Sequence, residues 1–159
     1  MSKIKRRMGQ RFLIDTNILV YYYEGLIPAN TVQEVDKILR QSFNISIISK
    51  IEFLGWSKYD EEQYQKAVLF IEGAKVISLS EEIVTNTIRI RREKSIKLPD
   101  AVIAATCLVN DFTLVTRNQN DFKGINGLKT YNPFKTTPQN HLEEDSEDMD
   151  QALEDTKIE

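Results

Sequence analysis

Four carboxylates in this 159-residue chain stand where an acid can do chemistry. Asp15 ends the short apolar run Phe12-Leu13-Ile14. Glu52 follows the run Ile45-Ser46-Ile47-Ile48. Asp100 sits beside Pro99 at the mouth of the apolar stretch from Ala101 to Leu108. Asp121 follows the run Phe112-Thr113-Leu114-Val115. Each also has an ordinary structural explanation. Asp15 can cap a helix, and Ser49-Lys50-Ile51-Glu52 spells a capping box. A carboxylate at the start of a buried helix is favoured by the helix dipole, which covers Asp100. Asp121 lies in a turn-like segment, Asn118-Gln119-Asn120-Asp121. The combination says more than any member. Three or four hard oxygen ligands at one sheet edge suit Mg²⁺ or Mn²⁺. Ionised carboxylates crowded together repel one another, so such a site needs a cation at neutral pH. With a metal bound, water can be activated near pH 7 and the charge developing on a phosphodiester can be neutralised.

The elements that must position these acids are short. Apolar runs at 11–14, 45–48, 75–79 and 112–115 read as strands, with Leu128-Lys129-Thr130-Tyr131 as a further one. Between them the pattern predicts helices. One begins at Asp15-Thr16-Asn17 and one, amphipathic, covers 31–41. Another is opened by Ser49, the next by an Asp60–Gln63 capping box, and a further one by Ser80. The helix at Asp100 is apolar nearly all round and ends near Asn110. Continuous apolar strands alternating with helices define an α/β class with a central parallel sheet flanked by helices. Ligands of open α/β sheets bind at the carboxyl ends of the strands, the side on which the acids fall.

Composition narrows the function classes. The apolar content of 41% supports one ordinary core. No apolar run reaches the ~20 residues of a membrane helix, and no apolar segment follows the basic start as a secretory signal requires. The expectation is a cytoplasmic protein with no membrane partner. Met8 is an alternative start. One Cys (Cys107) and one His (His141), far apart, offer no zinc spacing and leave His-dependent triads without a base. A P-loop and a Gly-x-Gly-x-x-Gly fingerprint are both missing. Residues 142–159 hold nine acids and one lysine, a charge of −8, against +5 for 1–141. A basic body is compatible with a nucleic-acid ligand. Arg89, Arg91, Arg92, Lys94 and Lys97 precede Asp100 and are candidates for phosphate contacts, or simply a solvated helix face. The organisation expected is a basic extension at 1–10, a catalytic domain at 11–134 and an acidic, disordered tail at 135–159. That tail is either solubilising or a competitor folding back on the basic body.

Four segments, in order, resemble a PIN domain of the VapC toxin type. They are Phe12-Leu13-Ile14-Asp15-Thr16-Asn17, Ile48-Ser49-Lys50-Ile51-Glu52-Phe53, Leu98-Pro99-Asp100-Ala101-Val102-Ile103-Ala104-Ala105-Thr106 and Leu114-Val115-Thr116-Arg117-Asn118-Gln119-Asn120-Asp121-Phe122. The resemblance covers Arg11 to about Pro133. It implies a PIN fold whose acidic pocket holds Mg²⁺ or Mn²⁺ on Asp15, Glu52, Asp100 and Asp121, directly or through water. Asn17, Thr116 and Asn118 would support that pocket. It further implies a toxin that cleaves RNA, often tRNA or rRNA, by metal-activated water, forms a homodimer and is silenced by a cognate antitoxin. Two alternatives stay open: a PIN-like module that binds RNA or protein without turnover, and a nuclease acting on DNA.

Overall fold

The structure, a computed structural model, describes residues 9–136. The basic extension, apart from Gly9 and Gln10, and the acidic tail beyond Thr136 lie outside the described residues. Five strands of three residues each form one sheet. They are β1 (Phe12–Ile14), β2 (Asn44–Ser46), β3 (Lys75–Ile77), β4 (Thr113–Val115) and β5 (Lys129–Tyr131). All neighbours run parallel, in the order β3-β2-β1-β4-β5. Six helices flank the sheet among the described residues: α1 (Thr16–Tyr23), α2 (Ala29–Gln41), α3 (Ile47–Leu54), α4 (Glu61–Glu72), α5 (Glu81–Glu93) and α6 (Leu98–Asn110). A 3₁₀ turn at Gln119–Phe122 follows β4, and a second at Pro133–Thr136 follows β5.

β1 occupies the centre, and its alternation sorts the core. Phe12 and Ile14 face α1, α2 and α4, packing with Ile18, Leu19, Val35, Ile38 and Ile71. Leu13 points to the opposite face, against α5 and α6, with Ile83, Ile90 and the run Ala101 to Ala105. A strand covered on both faces gains nothing from polar residues, which is why β1 reads as an unbroken apolar run. α6 is buried continuously from Ala101 to Cys107, as its composition predicts. α4 opens on the expected capping box: Gln63 N–H donates to Asp60 Oδ1 at 2.7 Å, and Asp60 N–H donates to Gln63 Oε1 at 3.0 Å.

One boundary differs from the sequence reading. α3 begins at Ile47, not Ser49, because the Ser46 hydroxyl caps it by accepting from Ile48 N–H at 3.2 Å. Ile47 and Ile48 therefore belong to the helix, and a short apolar run cannot by itself distinguish strand from helix. Ser49 sits fully buried inside that helix. On α5, Ile83, Thr87 and Ile90 face the core, whereas Ile88 is exposed. Among the described residues no helix is long and apolar enough to cross a membrane.

The sheet order has one functional consequence. The chain runs outward from β1 through β2 to β3, then resumes on the other side of β1 with β4 and β5. Strand order thus reverses between β1 and β4, and a crevice opens beyond their carboxyl ends, where α/β proteins bind ligands.

Candidate active site

Asp15 leaves β1 into this crevice. Its N–H donates to Val115 O at 2.9 Å, so the residue stays tied to β4 one step past the strand. It is the N-cap of α1, and both carboxylate oxygens are engaged. Oδ1 accepts from Thr16 N–H at 2.8 Å, and Oδ2 accepts from the Thr116 hydroxyl at 2.8 Å. The capping role and the site role therefore coexist in one side chain.

Thr116, the first residue after β4, is fully buried and organises this wall. Besides donating to Asp15, its oxygen accepts from Asn118 N–H at 3.0 Å. Asn17 Nδ2 stands 3.5 Å away, at the limit of a hydrogen bond, and Asn17 Oδ1 is buried without a partner. Arg117, next in the chain, places its guanidinium 4.5 Å over the Tyr21 ring and 4.9 Å over the Phe134 ring. These cation–π contacts hold the exit of β4 against α1.

The other acids arrive from three further elements. Glu52, on the exposed side of α3, accepts from the Thr16 hydroxyl at 2.8 Å. Its partner is thus across the crevice, not the Ser49 amide that a capping box would supply. Asp100 lies in the first turn of α6, and Asp121 in the 3₁₀ turn after β4. Mutual repulsion shows that the four share one electrostatic neighbourhood. Burial, reinforced by Asp100 and Glu52, pushes Asp15 up to about 7, against the lowering effect of its bonds to Thr116 and Thr16. Burial also raises Asp100, followed by the charges of Asp121 and Glu52, while Lys97 offsets part of the rise. Burial, with Asp15 nearby, pushes the Cys107 thiol well above the usual range, so this cysteine is an inert core residue.

The donor set fits a hard divalent cation. Its atoms are carboxylate and amide oxygens, one of them orphaned, and two of its carboxylates, Asp15 and Asp100, are raised by burial and then by neighbouring negative charge, which a cation would relieve. Among the described residues no three acid, imidazole or thiol groups converge closely enough to enclose an ion in this conformation. The acids stand within electrostatic reach of one another and not in a closed cage.

The candidate phosphate-binding residues divide. Lys97, at the N-cap of α6, acts on Asp100. Arg89 is engaged on its own helix with Glu93 at 3.3 Å and Asn86 at 3.2 Å. Lys94 donates to the Lys123 carbonyl, tying α5 to the loop after the 3₁₀ turn. Arg91 and Arg92 are exposed in the last turn of α5. Sequence reasoning missed Thr16 and Ser49 as site residues. The available signals were the spacing of Ser49 and Glu52, which puts both on one helix face, and the adjacency of Thr16 to Asp15.

An all-parallel sheet with acids around its switch point defines an α/β protein with an acidic crevice. The chain belongs to the PIN-domain family, whose model matches residues 12–128, and it is similar to chains of solved toxin–antitoxin complexes, VapBC complexes among them. It is 30% identical to a chain of a toxin–antitoxin complex from Klebsiella pneumoniae, with TM-score 0.62, covering 77% of this chain and 97% of that one. It is 26% identical to a chain of VapBC2 from Rickettsia felis, a structure bound to a promoter DNA fragment, with TM-score 0.66 and coverage of 77% and 98%. VapBC-1 from nontypeable Haemophilus influenzae shares the fold at 22% identity, TM-score 0.67 and coverage of 79% and 100%. No curated protein sequence matches the chain.

Proposed function

We propose that this chain is a Mg²⁺- or Mn²⁺-dependent endoribonuclease, the toxin of a toxin–antitoxin pair. The observation that carries the reading is the approach of Asp15, Glu52, Asp100 and Asp121 from four separate elements: Thr16 bonds Asp15 and Glu52 together, and Asp100 lies within electrostatic reach of Asp15, Glu52 and Asp121. A scaffold gains nothing from burying Asp15 among like charges; a cation site does. These four residues would hold the ion, directly or through its waters, with Asn17 Oδ1 as a further acceptor toward that water shell. Bound there, the ion would supply activation of water at neutral pH and neutralisation of charge on the phosphodiester. The chain's own part is to hold the acids oriented. Thr116 fixes Asp15, Asn118 N–H fixes Thr116, and the Arg117 stack keeps the loop between them in place. Lys97, Arg91 and Arg92 would meet RNA phosphates.

The antitoxin partner is supported by the relatives, whose structures are toxin–antitoxin complexes. Exposed large apolar residues on the helices, Ile51 at 60% and Leu69 at 66%, support partner surfaces for an antitoxin and for a second copy of this chain. Action in the cytoplasm, on tRNA or rRNA, completes the proposal. The test is cleavage of a mixed tRNA and rRNA pool by wild type and Asp100→Asn in Mn²⁺, in Mg²⁺ and in EDTA. Specific cuts that vanish in EDTA and in the variant are expected. No cuts from folded, antitoxin-free protein in either metal would overturn the reading in favour of a binding module. Cuts in DNA alone would reassign the substrate.

A further inference from the structure

Thr16 touches two of the four acids at once. Its backbone N–H donates to Asp15 Oδ1 at 2.8 Å, and its hydroxyl lies 2.8 Å from Glu52 Oε1. The same hydroxyl lies 2.9 Å from Ser49 Oγ. Thr16 and Ser49 are both buried, whereas Glu52 is exposed. A threonine hydroxyl has one proton, and the ionised carboxylate is the stronger acceptor. The Thr16 proton therefore goes to Glu52, and the Ser49 hydroxyl, one helical turn before Glu52, turns its own proton to Thr16.

We propose that Thr16, oriented by Ser49, is the positioning residue that fixes Glu52 relative to Asp15 and so sets the affinity of the metal site. This rests on the metal-site reading above. A glutamate on an exposed helix face has three rotatable bonds and otherwise samples many rotamers. Tying Oε1 to a buried hydroxyl removes most of that freedom and leaves Oε2 for the ion. Thr16 opens α1 directly after Asp15, and Ser49 belongs to α3 beside Glu52, so the hydroxyl pair also fixes the distance between the two helices. Neither hydroxyl contacts the ion; both act through Glu52.

The test is Mn²⁺ binding to the full chain, read as free Mn²⁺ by electron paramagnetic resonance, with urea unfolding in parallel. Thr16→Val keeps the shape and deletes the hydroxyl. It is expected to weaken Mn²⁺ binding about tenfold, at the low end for a group that orients a metal ligand. Thr16→Ser, which restores the donor, is expected to bind within about twofold of wild type. In a Glu52→Gln background, Thr16→Val is expected to have no further effect on binding, because its action runs through that carboxylate. A folded Thr16→Val that binds like wild type, or effects that multiply with those of Glu52→Gln, would overturn the proposal. Should Thr16→Val not fold, Ser49→Ala carries the test: weakened binding supports the proposal and unchanged binding overturns it. Wild type that binds no Mn²⁺ sinks the metal site and this inference together. Binding abolished by Asp100→Asn and retained in Thr16→Val sinks this inference alone.

Discussion

Asp15→Asn should make the metal-free protein more stable and useless. The carboxyl rises from 3.8 to about 7 on folding. Because the folded value lies above the unfolded one, the folded state binds more protons between those two pH values, and its stability falls as pH rises through that window. Below pH 4 both states are protonated, and above pH 7 the loss is complete. A rise of roughly three units at 1.36 kcal/mol each puts the cost of ionising Asp15 on the order of 4 kcal/mol at pH 8. An asparagine removes that charge and keeps an acceptor for Thr16 N–H. Its amide N–H₂ then faces the Thr116 hydroxyl, which already accepts from Asn118 N–H. Rearranging that bond costs about 1 kcal/mol. The variant should therefore gain about 3 kcal/mol at pH 8 and about nothing at pH 4.5.

The assay is urea unfolding in EDTA at the two pH values. At pH 8 the midpoint of Asp15→Asn should exceed that of wild type by roughly 1–2 M, and at pH 4.5 the midpoints should coincide. Adding Mn²⁺ should then stabilise wild type by mass action and leave the variant unmoved. Parallel pH dependences for the two proteins would refute the reasoning, because they would mean that Asp15 ionises as readily in the fold as outside it.

Three further outcomes follow from the same geometry. Thr116→Val removes a donor to Asp15 and an acceptor for Asn118 N–H, so it should cost about 1–3 kcal/mol in urea unfolding and raise the Asp15 titration seen by NMR; Thr116→Ser should restore both. Lys97→Met removes the charge that holds Asp100 down, so the acid limb of the pH–rate profile should move to higher pH; an unmoved limb would separate Lys97 from the chemistry. Reversing the charges of Arg91 and Arg92 should flatten the salt dependence of RNA affinity by about one unit for each phosphate they neutralise, and an unchanged slope would remove them from the interface.

How much of this was legible in the sequence depends on the range of each interaction. The strand at Phe12–Ile14 and the helix from Leu98 could be read directly, because burial on all sides leaves an uninterrupted apolar run. The Asp60–Gln63 box could be read because its two bonds span three residues. The start of α3 could not, because Ser46 and Ser49 are equally good caps on local grounds, and the choice is made by β3, which pairs with Asn44–Ser46. The four acids could be read as belonging to one sheet edge, yet the bonds that fix them there could not, since Thr116 finds Asp15 across 101 residues. The Thr16–Glu52 bond was invisible for the same reason: it spans 36 residues and joins two helices whose packing no local pattern encodes.

The position of β1 also bears on when the proposed site is completed during synthesis. The central strand is the first of the five to be synthesised, and its partner on the site side, β4, is the fourth. At about 5–20 residues per second, the ribosome takes roughly 5–20 s to travel from Asp15 to Thr116. Throughout that interval the first acid has no Thr116 beside it, and two of its three fellow acids are unmade or newly made. The nascent chain has no complete set of the four acids until Asp121 has emerged. On the proposed function, an antitoxin made alongside it thus has time to be waiting when the crevice closes, and a chain terminated before Asp121 lacks a complete site.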